Sequence, residues 1–314
     1  MNKKILGIGN AIVDVFAHVD EKFLNENKLI KGSMKLIDDD EFHKLKKKIK
    51  IEKTLAGGSV ANSMAGISYL KGEASFIGKI NLDEFGELYK KSLKEINVKF
   101  IYNEKKELVP TGTCIILITP DSERTMCTYL GISSQLGAND LNETNIANKE
   151  LIFLEGYLWD KGESEIMFKQ AINFAKKNKV KIAMTLSDIF CVARHKNDFY
   201  NLLKNDLDIL FGNENEINEL TNNKNLTDSI NELISLNKLI VITRSEKGSI
   251  ALYNNKIISC ESERISKIVD VTGAGDLFAA GFLKEYLEKN EIKKCLTSGS
   301  VIAAKIIQKI GARL

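Results

Sequence analysis

The sequence predicts an α/β protein: a mostly parallel sheet covered by helices on both faces, with a small second sheet set apart from it. Three observations carry this. From Leu151 onward, short apolar runs alternate with longer amphipathic ones, the pattern of a sheet buried on both sides. Between Lys99 and Tyr129 three strand-like runs follow one another with no helix between them. Two glycine-rich segments, around Gly57 and Gly273, open directly into apolar helical runs. The 314 residues, 44% of them hydrophobic, suffice for one such domain with an added subdomain.

In chain order, Lys4–Val13 reads as a strand, and the alternation of Val13, Val15, Ala17 and Val19 carries it out of the sheet into something else. Glu21–Asn27 is a short helix, Ser33–Ile37 a strand, and Asp39–Ile49 a helix whose acidic start suits its dipole. The glycine-rich segment Thr54–Asn62 leads into a helix ending near Leu70. Glu73–Gly78 is a strand and Asp83–Glu95 a helix. Lys99–Tyr102, Gly112–Thr119 and Arg124–Tyr129 join the strands at 13–19 and 33–37 in the small sheet, a natural lid. The lid is expected at about 13–38 and 98–130, with turns at Pro110 and at Pro120-Asp121-Ser122. Strands follow at Leu151–Leu154, Lys181–Leu186, Ile209–Phe211 and Leu239–Thr243. The helices between them run at about Glu163–Asn178, Asp198–Leu203, onward from Asn213, and Leu226–Leu236. Lys247–Cys260 is a hairpin around Asn254-Asn255. An apolar strand-like run, Ile265–Val269, precedes the second glycine segment; helices follow to about Glu288 and over Ile292–Ile310.

Several function classes are excluded or weakened. A net charge of +3 is too small for a nucleic-acid binder, and the lysines at 44, 46, 47, 48 and 50 read as a solvated helix face. No apolar run reaches the ~18 residues of a membrane span. The five cysteines are widely spaced with no CxxC, which suits a reducing cytoplasm. The N-terminus loosely imitates a signal peptide, but Asn10 and Asp14 interrupt the apolar run. No GxxxxGK[ST] is present, and Gly7-Ile8-Gly9 lacks the third glycine of a dinucleotide fingerprint.

The segment Asp270-Val271-Thr272-Gly273-Ala274-Gly275-Asp276 is where chemistry is expected. A helix start leaves N–H groups unpaired, and glycines let an anion approach them. A carboxylate at the mouth of such a cradle repels a merely bound anion. It fits a group that takes a proton from a hydroxyl attacking phosphorus, although an Asp helix cap gives the same pattern. Gly57-Gly58-Ser59 repeats the arrangement, with Asn62 one turn on; there too a plain Ser cap is an alternative.

Asp270–Asp276 as DxxGAGD, together with Gly57–Asn62 as GGxxxN, resembles the two signatures of the ribokinase-like (PfkB) kinases. The resemblance covers essentially the whole chain. It implies a three-layer α/β/α sandwich with a small β lid, ATP and Mg²⁺ as cofactors, and a small-molecule acceptor, nucleoside or sugar. It leaves open monovalent-cation activation and whether the protein is a monomer or a homodimer through its lid. Within the family, several segments look like adenosine kinases. Asn10 and Asp14 in Gly9–Asp14 resemble their nucleoside-binding opening. Pro110-Thr111-Gly112-Thr113-Cys114 resembles their lid strand, and Leu186–Phe190 their LSxxF, with Phe190 and Tyr157 implied at the base. Met34 stands where some carry a polar base contact. Arg124 falls at their phosphate-side arginine, and Asn213 with Glu216 at the NxxE that orders the Mg²⁺ waters. Thr243, Arg244, Ser245 and Gly248 resemble the ATP-side TxGxxG, with Ser245 where glycine is usual.

The mechanism this implies has Asp276 as general base and the Gly273, Ala274 and Gly275 amides, with Thr272, on the phosphate side. The substrate is held by Asp14, Gly57, Gly58, Ser59 and Asn62. The runners-up are a sugar kinase, a nucleoside-binding protein without turnover and, more remotely, an NAD oxidoreductase.

Overall fold

A computed structural model describes residues 4–102, 104–121, 123–159 and 164–314. The chain opens with β1 (Lys4–Ile8), breaks at Gly9-Asn10-Ala11 and resumes as β2 (Ile12–His18) in a different sheet. Next come α1 (Glu21–Glu26), β3 (Met34–Leu36), α2 (Asp39–Lys48) and β4 (Lys53–Ala56). They lead into α3 (Ser59–Tyr69), β5 (Glu73–Ile77), α4 (Glu84–Glu95) and β6 (Lys99–Phe100). The strands β7 (Gly112–Ile118) and β8 (Arg124–Tyr129) precede the short α5 (Glu143–Ala147). Then the alternation is regular: β9 (Leu151–Glu155), α6 (Ser164–Lys177), β10 (Lys181–Thr185), α7 (Ile189–Asn205), β11 (Ile209–Asn213), α8 (Glu214–Thr221), α9 (Leu226–Leu233) and β12 (Leu239–Thr243). The hairpin β13 (Ser249–Tyr253) and β14 (Lys256–Cys260) is followed by α10 (Ala274–Leu287) and α11 (Ile292–Ile306).

Among the described residues, nine strands form the large sheet in the order β14-β13-β12-β11-β10-β9-β1-β5-β6, and five form the small one as β3-β8-β7-β2-β4. The large sheet is parallel from β6 to β12 and ends in the antiparallel hairpin. Its side chains alternate between two cores. Leu6, Ile152, Ile182 and Leu210 face α6, α7 and α8; Ile5, Phe153, Ala183 and Phe211 face α3, α10 and α11. Both layers are apolar, as a doubly covered parallel sheet requires. The small sheet has its own helical cover: Ala17, Ile115, Leu117 and Cys127 pack against Leu24 of α1 and Phe42 and Leu45 of α2.

Four expectations are corrected. Lys99–Phe100 pairs with β5 in the large sheet, not with the lid, because a β5-α4-β6 unit returns the chain to the parallel edge. β4 was not anticipated; it pairs antiparallel with β2 and leads straight into Gly57. Ile265–Val269 is not a strand. It lies beyond the edge strand β14, with Ile268 and Val269 exposed, and Val269 N–H and Asp270 N–H donate to Ile307 O at the end of α11. α7 carries an additional helical segment from Ile189 ahead of the helix expected around Asp198: Asp188 caps it by accepting from Cys191 N–H at 2.6 Å, and the run kinks at His195 (φ −122°). The start of the helix expected from Glu163, and Ser122 of the expected turn, lie outside the described residues. The Asn254-Asn255 hairpin is as expected, with φ of 51° and 55° at the two turn residues.

Candidate active site

The C-terminal ends of β1 and β9 and the N-termini of α3 and α10 converge beneath the small sheet. Neither helix start has a side-chain cap: Gly58 (φ 89°) and Gly273 (φ 79°) occupy the cap positions. Both are held by close neighbours. A Cβ on Gly58 would strike Asn10 O, and one on Gly273 would strike Ala312. Ser59 is therefore not the cap of α3. Its hydroxyl donates to Asp276 Oδ1 at 2.7 Å, while Asn62 Nδ2 donates to Asp276 Oδ2 at 3.0 Å. Ser63 Oγ closes the junction on Asp276 O at 2.9 Å. The two glycine segments thus meet through the Asp276 carboxylate, which burial pushes up to about 6 against the pull of Ser59 and Asn62.

Of the three amides expected to face phosphate, Ala274 N–H is already used, donating to Val271 O at 3.1 Å. Among the described residues, no acceptor is recorded for the Gly273, Gly275 and Asp276 N–H groups, and Gly275 faces open space.

On the small sheet, Asp14 lies opposite Cys114 across the β2–β7 ladder and against the Gly57 backbone. Burial raises Asp14 to about 7 and pushes the Cys114 thiol well up, so the thiol stays neutral. Met34 pairs with Met126 at the other edge, in β3. Arg124 reaches down from β8. Its Nη1 lies 2.6 Å from Asp270 Oδ2 and 3.0 Å from Thr272 Oγ1. Burial alone would raise Asp270; donors from Gly311 N–H and Thr272, with Arg124, outweigh it and hold the carboxyl low.

The remaining expected residues are less tightly gathered. Tyr157 follows β9, partly packed on the large core, and its hydroxyl donates to Asp188 Oδ2 at 2.8 Å. Phe190, in the first turn of α7, is 62% exposed. Asn213 caps α8 in a reciprocal box: its Nδ2 donates to Glu216 Oε1 at 2.6 Å and Glu216 N–H returns to Asn213 Oδ1 at 3.0 Å. Glu216 is buried and raised to about 7, and no cation among the described residues is paired with it. A hydrated divalent ion nearby fits such a group. Among the described residues no cluster of three His, Cys, Asp or Glu could hold a metal, so a Mg²⁺ there would rest mainly on phosphates and water.

A separate cleft of about 350 Å³ adjoins the other side of Gly275 and Ala274; Thr243, Ser245, Gly248, Ile268 and Ile307 line it. Ser245 stands at φ 51° where glycine is usual, and Arg244 Nε reaches Glu214 at 3.3 Å, outside that lining.

Two residues, one buried and one partly buried, escaped the sequence reading. Glu155, 1% exposed, accepts from Asn10 N–H and Nδ2 at 3.3 and 3.2 Å and from Val60 N–H at 3.0 Å. Its signal was a lone acid ending an apolar strand. Arg313 donates to Asn62, Ser92 and Gly57, and nothing in its local sequence marked it.

A doubly covered parallel sheet with a smaller second sheet, and two glycine helix starts joined at one carboxylate, define a phosphotransferase for small molecules. The chain belongs to the pfkB family carbohydrate kinases, whose pattern matches residues 31–314. The adenosine kinase structure from Sinorhizobium meliloti superposes with a TM-score of 0.94 at 35% identity, covering 100% of this chain and 96% of that one. A probable sugar kinase from Rhizobium etli CFN 42 superposes at 0.93 with 32% identity, covering 100% and 96%. In sequence, adenosine kinase 2 of Arabidopsis thaliana is 24% identical over 331 residues, covering 98% of this chain and 94% of that one.

Proposed function

We propose that this kinase moves the γ-phosphate of ATP onto a primary hydroxyl of a nucleoside, with adenosine the first choice, and that Asp276 is the general base. The observation that carries the reading is the Asp276 carboxylate. Ser59 and Asn62 each donate to one of its oxygens, fixing it beside the unpaired N–H groups that open α10. Its remaining lone pairs accept the substrate hydroxyl's proton as attack begins. The Gly273 and Gly275 amides, with the helix dipole, stabilise charge on the phosphoryl oxygens. Arg124 and Thr272 border the same helix start. Asp14, Gly57, Gly58 and Asn10 hold ribose hydroxyls, with Cys114, Tyr157 and Phe190 toward the base. Asn213 and Glu216 would order the waters of a Mg²⁺ ion, which would supply charge neutralisation on the phosphates. Thr243, Arg244, Ser245 and Gly248 take the ATP side, where the cleft beside Ala274 suits the nucleotide base. The small sheet acts as the lid that excludes water.

A sugar acceptor is the second reading. Tyr157 has spent its hydroxyl on Asp188, and Phe190 is 62% exposed and stacks on no ring among the described residues, so neither yet forms a base slot. An ADP-release screen across adenosine, guanosine, inosine, ribose and fructose separates the two, with Asp276→Asn as the blank and KCl present or absent. Turnover confined to sugars sinks the nucleoside reading; ligand binding without ADP release sinks the kinase reading.

A further inference from the structure

Arg313 lies under the floor of the site rather than in it. The chain returns after α11 through Gly311 and Ala312, and the guanidinium then spreads three ways. Nε donates to Asn62 Oδ1 at 3.0 Å, Nη1 to Ser92 Oγ at 3.1 Å and Nη2 to Gly57 O at 3.0 Å. Its plane sits 5.9 Å from the Tyr89 ring centroid, and Tyr89 itself donates to Gly57 O at 3.2 Å. Each of these partners belongs to the substrate-side floor or to the helix behind it.

The bond to Asn62 decides which way that amide points. With Oδ1 held by a guanidinium, Nδ2 is the end left for Asp276, and it donates to Oδ2 at 3.0 Å. A flipped amide would set its oxygen against the carboxylate and its NH₂ against Arg313, unfavourable at both ends. The charges around Asp276 point the same way. Asp14 from β2 and Glu155 from the end of β9 are acidic neighbours in the same buried region. Arg124 from β8 is engaged by Asp270, the acid ahead of α10. Tyr89 of α4 is neutral, its phenol pushed further up by burial. Arg313 is the cation that bears on Asp14 and Asp276 together. Burial lowers its affinity for its proton, but a guanidinium stays charged.

We infer that Arg313 is a positioning residue: it locks the Asn62 amide against Asp276 and holds a fixed positive charge beneath Asp14 and Asp276. The inference rests on the reading of Asp276 as general base. Its consequence is that the acid limb of the reaction, where Asp276 gains its proton, depends on a residue that does not touch substrate.

The test compares Arg313→Gln, Arg313→Lys and Asp276→Asn with the parent protein, measuring kcat and KM from pH 5 to 9 and thermal melting alongside. Arg313→Gln should move the acid limb up by about one pH unit, the size expected for loss of a nearby opposite charge. Its kcat deficit should approach roughly tenfold at pH 5, be about fivefold at pH 6 and shrink toward pH 9. Arg313→Lys keeps the charge but loses the three-way fork. Its limb should stay within a few tenths of a unit while kcat falls at all pH values. A limb that does not move in Arg313→Gln, with only the melting temperature lowered, overturns the inference. If Arg313→Gln does not fold, Arg313→Lys decides alone: a parent-like kcat with a changed KM overturns the positioning role. Full turnover in Asp276→Asn would instead remove the base assignment, so the two failures are distinct.

Discussion

Arg124 and Asp270 are 2.6 Å apart, and that contact ties the small sheet to the segment just ahead of α10. The same guanidinium donates to Thr272 at 3.0 Å and lies 6.0 Å from the Phe16 ring centroid. Asp270 does not depend on it alone, since Gly311 N–H and Thr272 N–H also donate to its oxygens. On the proposed reading, a phosphate at the N-terminus of α10 would compete with Asp270 for a cation already in place. Arg124→Met should fold, lose on the order of 1–3 kcal/mol for the missing charged hydrogen bonds, and drop kcat/KM for ATP roughly 10–10³-fold. Steady-state ADP release and thermal melts check both parts. Lost stability with unchanged kinetics would make Arg124 a tether and nothing more.

Gly57 concerns space rather than charge. A Cβ there would collide with the Asp14 carboxylate, whose place on β2 is fixed by its pairing with Leu55 on one side and Cys114 on the other. Gly57→Ala must therefore push Asp14 out of position or bend the Gly57 segment, at a cost of roughly 1–3 kcal/mol. If Asp14 holds the acceptor, KM for that acceptor should rise about tenfold or more while KM for ATP changes little, because the cleft proposed for ATP does not include Gly57. Equal changes in both constants would place the damage elsewhere.

Four buried or half-buried carboxyls hold their protons more tightly than in an unfolded chain. Burial is the main cause: Asp14, Glu155 and Glu216 are raised to about 7 and Asp276 to about 6. Between about pH 4 and pH 7 the folded protein therefore binds more protons than the unfolded one. The contribution of these groups to stability is fully present below that window and is lost as pH rises through it. Glu155→Gln removes one titrating group, so its melting temperature should fall less between pH 5 and pH 8 than the parent's does. At pH 5 the variant should be the less stable of the two, since an amide cannot accept from both Asn10 and Val60 N–H as the carboxyl does. Parallel melting curves across the range would show that Glu155 does not titrate there.

The elements that were legible share one property: their signal is local. The strands from Leu151 onward and the Asn254-Asn255 turn are written in period and turn chemistry within a few residues. The two glycine starts were legible too, because a positive φ favours glycine and close neighbours at Gly58 and Gly273 leave no room for a Cβ. What was missed depends on distant partners. Ile265–Val269 has the composition of a strand, but the last strand of the sheet, β14, is already in place before it. Lys99–Phe100 belongs to the large sheet because α4 carries it back beside β5. Arg313 gains its meaning from Asn62, 251 positions away, and Glu155 from Val60, 95 positions away. No window around either residue contains its partner. The turn from Ala274 N–H to Val271 O is a local feature that glycine spacing alone does not specify.

Phe190 offers the sharpest division between nucleoside and sugar acceptors. It is 62% exposed in the first turn of α7, the helix that follows β10, beside β9, which ends at Glu155 just ahead of Tyr157. An aromatic that makes little core contact contributes little to stability, so Phe190→Ala should change melting by no more than about 0.5 kcal/mol in unfolding free energy. A purine stacked on that ring would lose roughly 1–3 kcal/mol, the range for stacking of a nucleobase on an aromatic side chain. KM for adenosine should then rise about 5- to 150-fold, with KM for ATP unchanged. A sugar acceptor has no flat face to lose, and its KM should not move. If adenosine turnover survives with its KM intact, the base does not rest on Phe190, and the stacking partner must be sought at Tyr157, whose hydroxyl is already committed to Asp188.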